Sequence, residues 1–276
     1  MSGRATASVR IRARAPRTSP ASARAVWVGA VAVVAVLVLW ELLGRLGGGG
    51  ARIPVPTAIG AALAGLVIDP GFWAATGQTL LSAALGLVLA ALAGVVAGTA
   101  YGTFVFLRHS TSALIELLRP IPPVALLPVG LLLFGTSLQM KLALIVYTAF
   151  WPVFIQTAYG LRDIDGTLVD MARIHRVRRG RRLLGIVLPS IGPYIAVGLR
   201  LSVIGALIAS IVSELIGGAP GLGYALGLAQ STGQTARMYA LVVVIGVLGL
   251  LADRSFGLME RISPGWSPAN RERGRS

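Results

Sequence analysis

The chain of 276 residues is 55% hydrophobic and only 13% charged, and its mean hydropathy is +0.78. A soluble domain of this length needs more charged surface, so the composition predicts a protein embedded in a membrane. The net charge of +15 would suggest nucleic acid in a soluble protein, but the arginines lie beside apolar runs and no nucleic-acid-binding module is present, so we expect no nucleic-acid partner. The lack of cysteine excludes disulfides and thiolate chemistry.

Basic tails flank one long hydrophobic region. Residues 1–24 carry six arginines without apolar periodicity, which predicts a disordered cytoplasmic tail. The apolar run from Ala25 predicts the first transmembrane span; a cleaved signal peptide is the alternative, against which the long tail and the missing cleavage motif count. Residues 25–262 are predicted to form one transmembrane domain, followed by a second cytoplasmic tail at 263–276.

Four further apolar runs have the length of a membrane-spanning helix. They lie at about Thr76–Tyr101, Leu142–Leu161, Ile191–Ile216 and Met238–Met259. Small residues recur at every fourth position of the first of these, which predicts a close helix-packing face: Gly86, Ala90, Gly94, Gly98 and Gly102. The segment LRPIPPVALLPVGLLLFG then carries four prolines within apolar sequence, which predicts a broken span and a total of six.

The positive charges are distributed unequally between the two sides of these spans. By alternation, one side receives both basic tails, Arg108, Arg119 and the arginine-rich segment 162–182. The other side receives only Arg45, Arg52, Lys141 and Arg237. Because cytoplasmic loops are enriched in Lys and Arg, we expect a multi-pass protein of the plasma (inner) membrane with both termini in the cytoplasm.

The charged segment between two spans, about residues 162–189, is predicted to be a helix–turn–helix on the cytoplasmic face. Asp163 or Asp165 can cap a first helix whose positions Leu168, Met171, Ala172 and His175 share one face. A second, basic helix is predicted at about Arg178–Val187, with Leu188-Pro189 setting the path into the next span.

The spacing within this segment resembles a known pattern. Asp170-Met171-Ala172, then Arg176, then Ile186-Val187-Leu188-Pro189 is similar to the EAA triplet, glycine and I-x-LP of the inner-membrane permeases of binding-protein-dependent ABC importers. Several segments between Ile53 and Arg261 resemble the nitrate, sulfonate and taurine branch of that family, among them IPVPTAIGAAL, AFWPVFIQTAYGL and SELIGGAPGLGYAL.

The resemblance implies an all-α permease subunit that forms a homodimer and carries a small anion or zwitterion such as nitrate, an aliphatic sulfonate or taurine. It also implies a loop that docks on an ATP-hydrolysing subunit, with the candidate residues Asp170, Met171, Ala172, His175, Arg176, Ile186, Leu188 and Pro189. The implied partners are ABC ATPase subunits, an extracytoplasmic substrate-binding protein, a second copy of the permease and membrane lipids.

The sequence departs from the pattern at the turn of this loop. Asp170 stands for the usual Glu, Met171 for Ala, and Arg176 for the Gly that adopts a positive φ without a steric penalty. The helix is therefore expected to bend at Arg176, to bend later at Gly180, or not to bend.

The chain has no phosphate-binding loop, so the resemblance implies that ATP and Mg²⁺ are bound by the partner ATPase and that this chain is not itself an enzyme. The two histidines, His109 and His175, lack a carboxylate cluster, and we expect no metal or other cofactor. Arg200 and Glu214 are ionisable residues inside a span, and with Ser210 they are candidates for the translocation path. The alternatives are that Arg200 pairs with a carboxylate and that Glu214 makes a gate or interfacial hydrogen bond.

Three other functions compete with an anion importer. The first is a permease of the same family for a thiamine precursor. The second is a membrane signalling protein whose arginine-rich segment binds anionic lipids, which would not require the I-x-LP spacing. The third is a self-sufficient channel, which would need a polar ring that the sequence does not show.

Overall fold

The computed structural model describes residues 21–46, 53–164 and 166–262, and within these ranges the chain forms helices and turns but no β-strand. The predicted all-α class is confirmed. The chain divides after Thr57 into two compact units. The predicted tails lie outside the described residues, except that the first helix already begins at Ala21.

The first unit contains α1, Ala21–Leu46. The side chains of its apolar segment Trp27–Leu46 are unburied within the chain, as expected for a helix in contact with lipid. Near its end, Glu41 accepts hydrogen bonds from Arg45 Nε at 2.6 Å, from Thr57 Oγ1 at 2.7 Å and from the Thr57 backbone N–H at 3.0 Å. These bonds satisfy the one carboxylate of α1.

The second unit contains the remaining helices, the first of which starts at the boundary between the units. In chain order they are α2 (Pro56–Ile68), α3 (Pro70–Thr103), α4 (Val105–Leu118), a 3₁₀ turn (Pro123–Leu126), α5 (Leu127–Phe134), α6 (Leu138–Arg162), α7 (Gly166–Ile174), α8 (Arg179–Arg182), a π-helical turn (Leu183–Val187), α9 (Leu188–Gly217), α10 (Leu222–Ser231) and α11 (Thr235–Ile262).

The predicted spans coincide with these helices. Among the described residues, five helices are long and apolar enough to cross a membrane, and α4 with α5 makes a sixth span that is bent by 88°. The bend lies in the proline-rich segment, as predicted, because proline removes a backbone donor and clashes with the preceding turn. The short helices α2 and α10 were not predicted.

Helices α3, α6 and α9 form the packed centre of the second unit. The small-residue face of α3 lies against α6: a Cβ added to Gly94 would lie 2.9 Å from Val153 Cβ, and one added to Gly98 would lie 2.7 Å from the carbonyl oxygen of Phe154. Apolar lipid gives helices no hydrophobic drive to associate, so such close backbone approach carries much of the stability. The predicted packing face is confirmed.

Candidate functional site

The arginine-rich segment does bend, and it bends at Arg176. This residue has φ 50°, the one positive φ of a non-glycine residue in the described part of the chain. The backbone N–H of Val177 donates to the carbonyl of Ala172 at 3.0 Å, five residues back, and that of His175 donates to Met171 at 3.0 Å. This is the Schellman ending of a helix, with Arg176 in the place that glycine usually occupies. Gly180 lies inside α8 and makes no turn.

The face that α7 leaves open is apolar and basic. Met171 is 56% exposed and Ile174 is 77% exposed, and His175 and Arg176 are exposed as well. Ala172, in contrast, is buried. Asp170 belongs to α7, but its side chain lies outside the described residues. Among the predicted docking residues of this arm, Ala172 is therefore buried, whereas Met171, His175 and Arg176 are accessible to a partner.

The second arm of the segment differs from the prediction. Instead of one helix that stops at Pro189, α8 passes through a π-helical turn directly into α9. Pro189 is in the first turn of α9, where its missing N–H costs no hydrogen bond. Ile186 is half-buried, and Leu188 and Pro189 are exposed. The second arm of the segment is thus continuous with α9.

The predicted cap role of Asp163 is wrong. Asp163 ends α6, and its carboxylate accepts a hydrogen bond from the Tyr194 hydroxyl of α9. A Cβ on Gly160 would lie 2.9 Å from Tyr194 Cβ, so the two helices are in close contact at this point. Asp165, the other cap candidate, lies outside the described residues. The contact ties the start of segment 162–189, which we call the docking segment after its predicted role, to both α6 and α9.

Arg200 is paired, as the alternative to the path role expects. Its Nε lies 3.0 Å from Asp253 Oδ1 and its Nη2 lies 3.4 Å from Asp253 Oδ2, which joins α9 to α11. The pair is partly exposed, with 46% of the Arg200 side chain accessible. Its charge is compensated within the chain.

Glu214 is fully buried in a polar cluster that joins four helices. Its carboxylate accepts from Lys141 Nζ at 2.6 Å, Thr79 Oγ1 at 2.8 Å, Ser210 Oγ at 3.1 Å and the Gly223 backbone N–H at 2.9 Å. Lys141 is 3% exposed and donates also to the Pro220 carbonyl at 3.0 Å. We call these residues the Lys141–Glu214 cluster. Its donors satisfy the carboxylate, which is the arrangement of a structural anchor. A path role for Glu214 and Ser210 stays a prediction.

A second charged feature lies at the other end of α6. The C-terminal parts of α3, α4 and α6 line an open cleft of about 480 Å³, which we call the arginine cleft. Its charged lining consists of Arg119, Arg162 and Glu116, and its aromatic lining of Tyr101, Phe154 and Tyr159. The sequence predicted only a topological role for both arginines. The available signal was that Arg119 and Arg162 each directly end a helix on the same predicted side of the membrane.

The described part of the chain is all-α, with five or up to six helical spans long and apolar enough to cross a membrane and a basic helix–turn–helix before the span formed by α9. The family of binding-protein-dependent transport system inner membrane components matches residues 90–262. The chain belongs to this family, and it is a permease subunit of an ABC importer.

Several relatives are similar over most of the chain. The putative aliphatic sulfonates transport permease SsuC of Bacillus subtilis is 31% identical over 90% of this chain and 91% of its own. The nitrate import permease NrtB of Leptolyngbya laminosa is 28% identical over 91% and 96%. The bicarbonate transport permease CmpB of Synechococcus elongatus is 31% identical over 70% of each chain. In fold, the inward-facing MetNI methionine ABC transporter matches with a TM-score of 0.55 and 19% identity, over 75% of this chain and 94% of the matched chain.

Proposed function

We propose that this chain imports a small oxyanion or zwitterion, such as nitrate, an aliphatic sulfonate, taurine or bicarbonate. The observation that carries the proposal is the agreement of the relatives: proteins named for sulfonate, nitrate and bicarbonate transport match the same chain over most of its length. Each of the three named substrates carries a negative charge shared among oxygens, in a planar group for nitrate and bicarbonate and in a tetrahedral group for a sulfonate. The common property is thus the class of anion rather than one compound.

In the proposed complex, two copies of the permease enclose the path and two ABC ATPase subunits bind ATP and Mg²⁺. An extracytoplasmic binding protein delivers the substrate. The distribution of arginines supports a cytoplasmic position for both termini and for the docking segment.

The exposed face of α7 is the proposed contact with the ATPase. Met171 and Ile174 offer apolar area, while His175 and Arg176 supply hydrogen-bond donors beside it. Because the second arm continues into α9, and Asp163 at the end of α6 is hydrogen-bonded to Tyr194 of α9, a displacement of α7 would move two spanning helices. Closure of the ATPase pair would in this way switch the path between inward-open and outward-open states.

Reconstitution of the complex with its ATPase and its binding protein tests the proposal. ATPase stimulation and uptake are measured with nitrate, ethanesulfonate, taurine, bicarbonate and a thiamine precursor. We expect stimulation by at least one of the anions or by taurine. Stimulation by the thiamine precursor alone would refute the substrate class. Uptake without ATP, or a chain that never co-purifies with an ATPase, would refute the importer complex and favour the channel or the lipid-binding protein.

A further inference from the structure

We propose that the arginine cleft is an anion-binding station within this chain, at which the substrate is held by Arg119 and Arg162 at the end of α6 that leads into the docking segment. The inference rests on the proposed function for its substrate class. It assigns the binding to residues other than Arg200 and Glu214, the candidates that the sequence offered for the translocation path.

The first support is the charge balance of the cleft. Two guanidinium groups and one carboxylate, that of Glu116, line it, which leaves a net positive charge. Within the described residues, neither arginine is in an ion pair, and both side chains are exposed. A guanidinium keeps its charge at all physiological pH values and presents a planar fork of donors that matches nitrate, carboxylate and sulfonate oxygens.

The second support is the contrast with the other charged groups of the spans. Arg200 is compensated by Asp253, and Lys141 by Glu214. An incoming anion at either place would have to replace an existing carboxylate, which costs the energy of that ion pair. The arginine cleft offers positive charge that no described carboxylate already neutralises by direct contact.

The third support is the shape and lining of the cleft. A volume of about 480 Å³ is in the usual range of small-molecule sites and holds a small anion together with several waters. Tyr101, Tyr159 and Phe154 also line the cleft, and side chains of these types combine hydroxyl groups with apolar ring surface that suits the carbon part of an organic sulfonate. The same cleft therefore suits both an inorganic oxyanion and an aliphatic sulfonate.

The position of α4 gives this station a way to change. Arg119 directly follows α4, at the start of the bend to α5, and the Tyr147 hydroxyl of α6 donates to the Leu118 carbonyl at 2.6 Å. The end of α4, which forms one wall of the cleft, is thus held to α6 by a hydrogen bond. The C-terminal part of α6 forms the opposite wall and ends at Arg162, where the docking segment begins. A relative movement of α4 and α6 would alter the separation of the two guanidinium groups.

The lack of cysteine in the chain permits a direct test. Ser112, which lines the cleft, is replaced by Cys in the full-length protein in detergent, and its reaction is followed with two reagents: the anionic sulfonatoethyl methanethiosulfonate and the cationic trimethylammonioethyl analogue. The thiolate attacks the sulfur that carries the charged ethyl group, the bond from that sulfur to the sulfonyl sulfur breaks, and a mixed disulfide forms as methanesulfinate leaves. Intact mass spectrometry of this chain gives both rates.

Because fixed positive charge concentrates anions, the ratio of anionic to cationic rate is expected to be about tenfold higher at Ser112→Cys than at a control cysteine, Ser231→Cys, at an exposed position of α10. Arg119→Gln with Arg162→Gln should lower the ratio at Ser112→Cys to that of the control, and Arg119→Lys with Arg162→Lys should keep part of the increase. Ethanesulfonate, compared with chloride at equal ionic strength, should slow the anionic reagent. Unchanged melting temperatures show that the variants fold.

A ratio that is insensitive to both glutamine substitutions, or protection by ethanesulfonate no greater than by chloride, would overturn the anion station. The reconstituted complex separates this result from the proposed function. If the anionic reagent is enriched but only a thiamine precursor is taken up, the cleft stands and the substrate class fails. If anions are taken up with unchanged apparent KM in the double glutamine variant, the substrate class stands and the station fails.

Discussion

The two ends of α6 carry the same kind of charge in opposite environments. At one end Lys141 is almost completely buried and is bonded to Glu214, whereas at the other end Arg162 is exposed at an open cleft and leads into the docking segment. The buried end joins α3, α6, α9 and α10 through polar contacts, and the open end is held by Asp163, Tyr194 and the turn at Arg176. The difference separates a buried end whose charges are bonded within the chain from an open end that we propose to bind an anion and to move.

The physical reason lies in desolvation. A buried charge must be bonded, and once bonded it resists movement because breaking the pair leaves an uncompensated ion in a medium of low polarity. An exposed arginine keeps its water and can exchange it for an anion or for a partner surface. We therefore expect substitutions at the Lys141 end to change stability and substitutions at the Arg162 end to change transport.

The largest effect is expected from Glu214→Gln. It leaves Lys141 buried without its counter-charge, so the free energy of unfolding should fall by about 3–5 kcal/mol. Unfolding of the purified chain in mixed micelles measures the loss. Glu214→Gln combined with Lys141→Met should recover part of it, because no lone charge remains. Equal losses in the single and double variants would show that the ion pair is not the source of stability.

Asp170→Lys is expected to act on coupling instead. If α7 docks on the ATPase, reversing this charge should weaken the interface by about 2–5 kcal/mol and uncouple hydrolysis from uptake, with membrane insertion and unfolding unchanged. Uptake, ATPase activity and co-purification are measured together. Arg178→Gln, in the same segment beyond the turn, is the matched control. Normal transport by the Asp170→Lys complex would count against the docking role.

Gly98→Ala tests the packing of α3 against the part of α6 that lies between its two charged ends. The added Cβ would meet the Phe154 carbonyl oxygen at 2.7 Å, so α3 and α6 must separate, at an expected cost of about 1–3 kcal/mol. Gly77→Ala, on the same helix with open space around it, is the control and should not lower stability. Similar unfolding curves for the two variants would refute the close-packed face.

The smallest effect is expected from Arg176→Gly. Glycine adopts the φ of 50° without a Cβ clash, so the variant should be more stable by up to about 1 kcal/mol while the turn is retained. Thermal unfolding of the complex reports the gain. Arg178→Gly, at a residue without a positive φ, should show no such gain. A loss of transport by Arg176→Gly at unchanged stability would instead assign the guanidinium to the ATPase contact.

Several features could be predicted from sequence because they are local. Runs of apolar residues reveal the spans, and the prolines between Pro120 and Pro128 reveal that one span is broken. Small residues spaced four apart reveal the packing face of α3. The short helices α2 and α10 escaped prediction because they are too short to span a membrane and lie next to glycines and prolines. The choice of bend between Arg176 and Gly180 also needed the backbone hydrogen bonds.

The membrane class, the order of the spans and the family pattern from Asp170 to Pro189 can be inferred from sequence, since each depends on neighbours along one chain. Which charges are neutralised depends on contacts between distant parts of the chain. Lys141 and Glu214 are 73 residues apart, and Arg200 and Asp253 are 53 apart, so no local pattern reveals either pair. Once those partners are known, Arg119 and Arg162 stand out, because their positive charge faces an open cleft rather than a buried carboxylate.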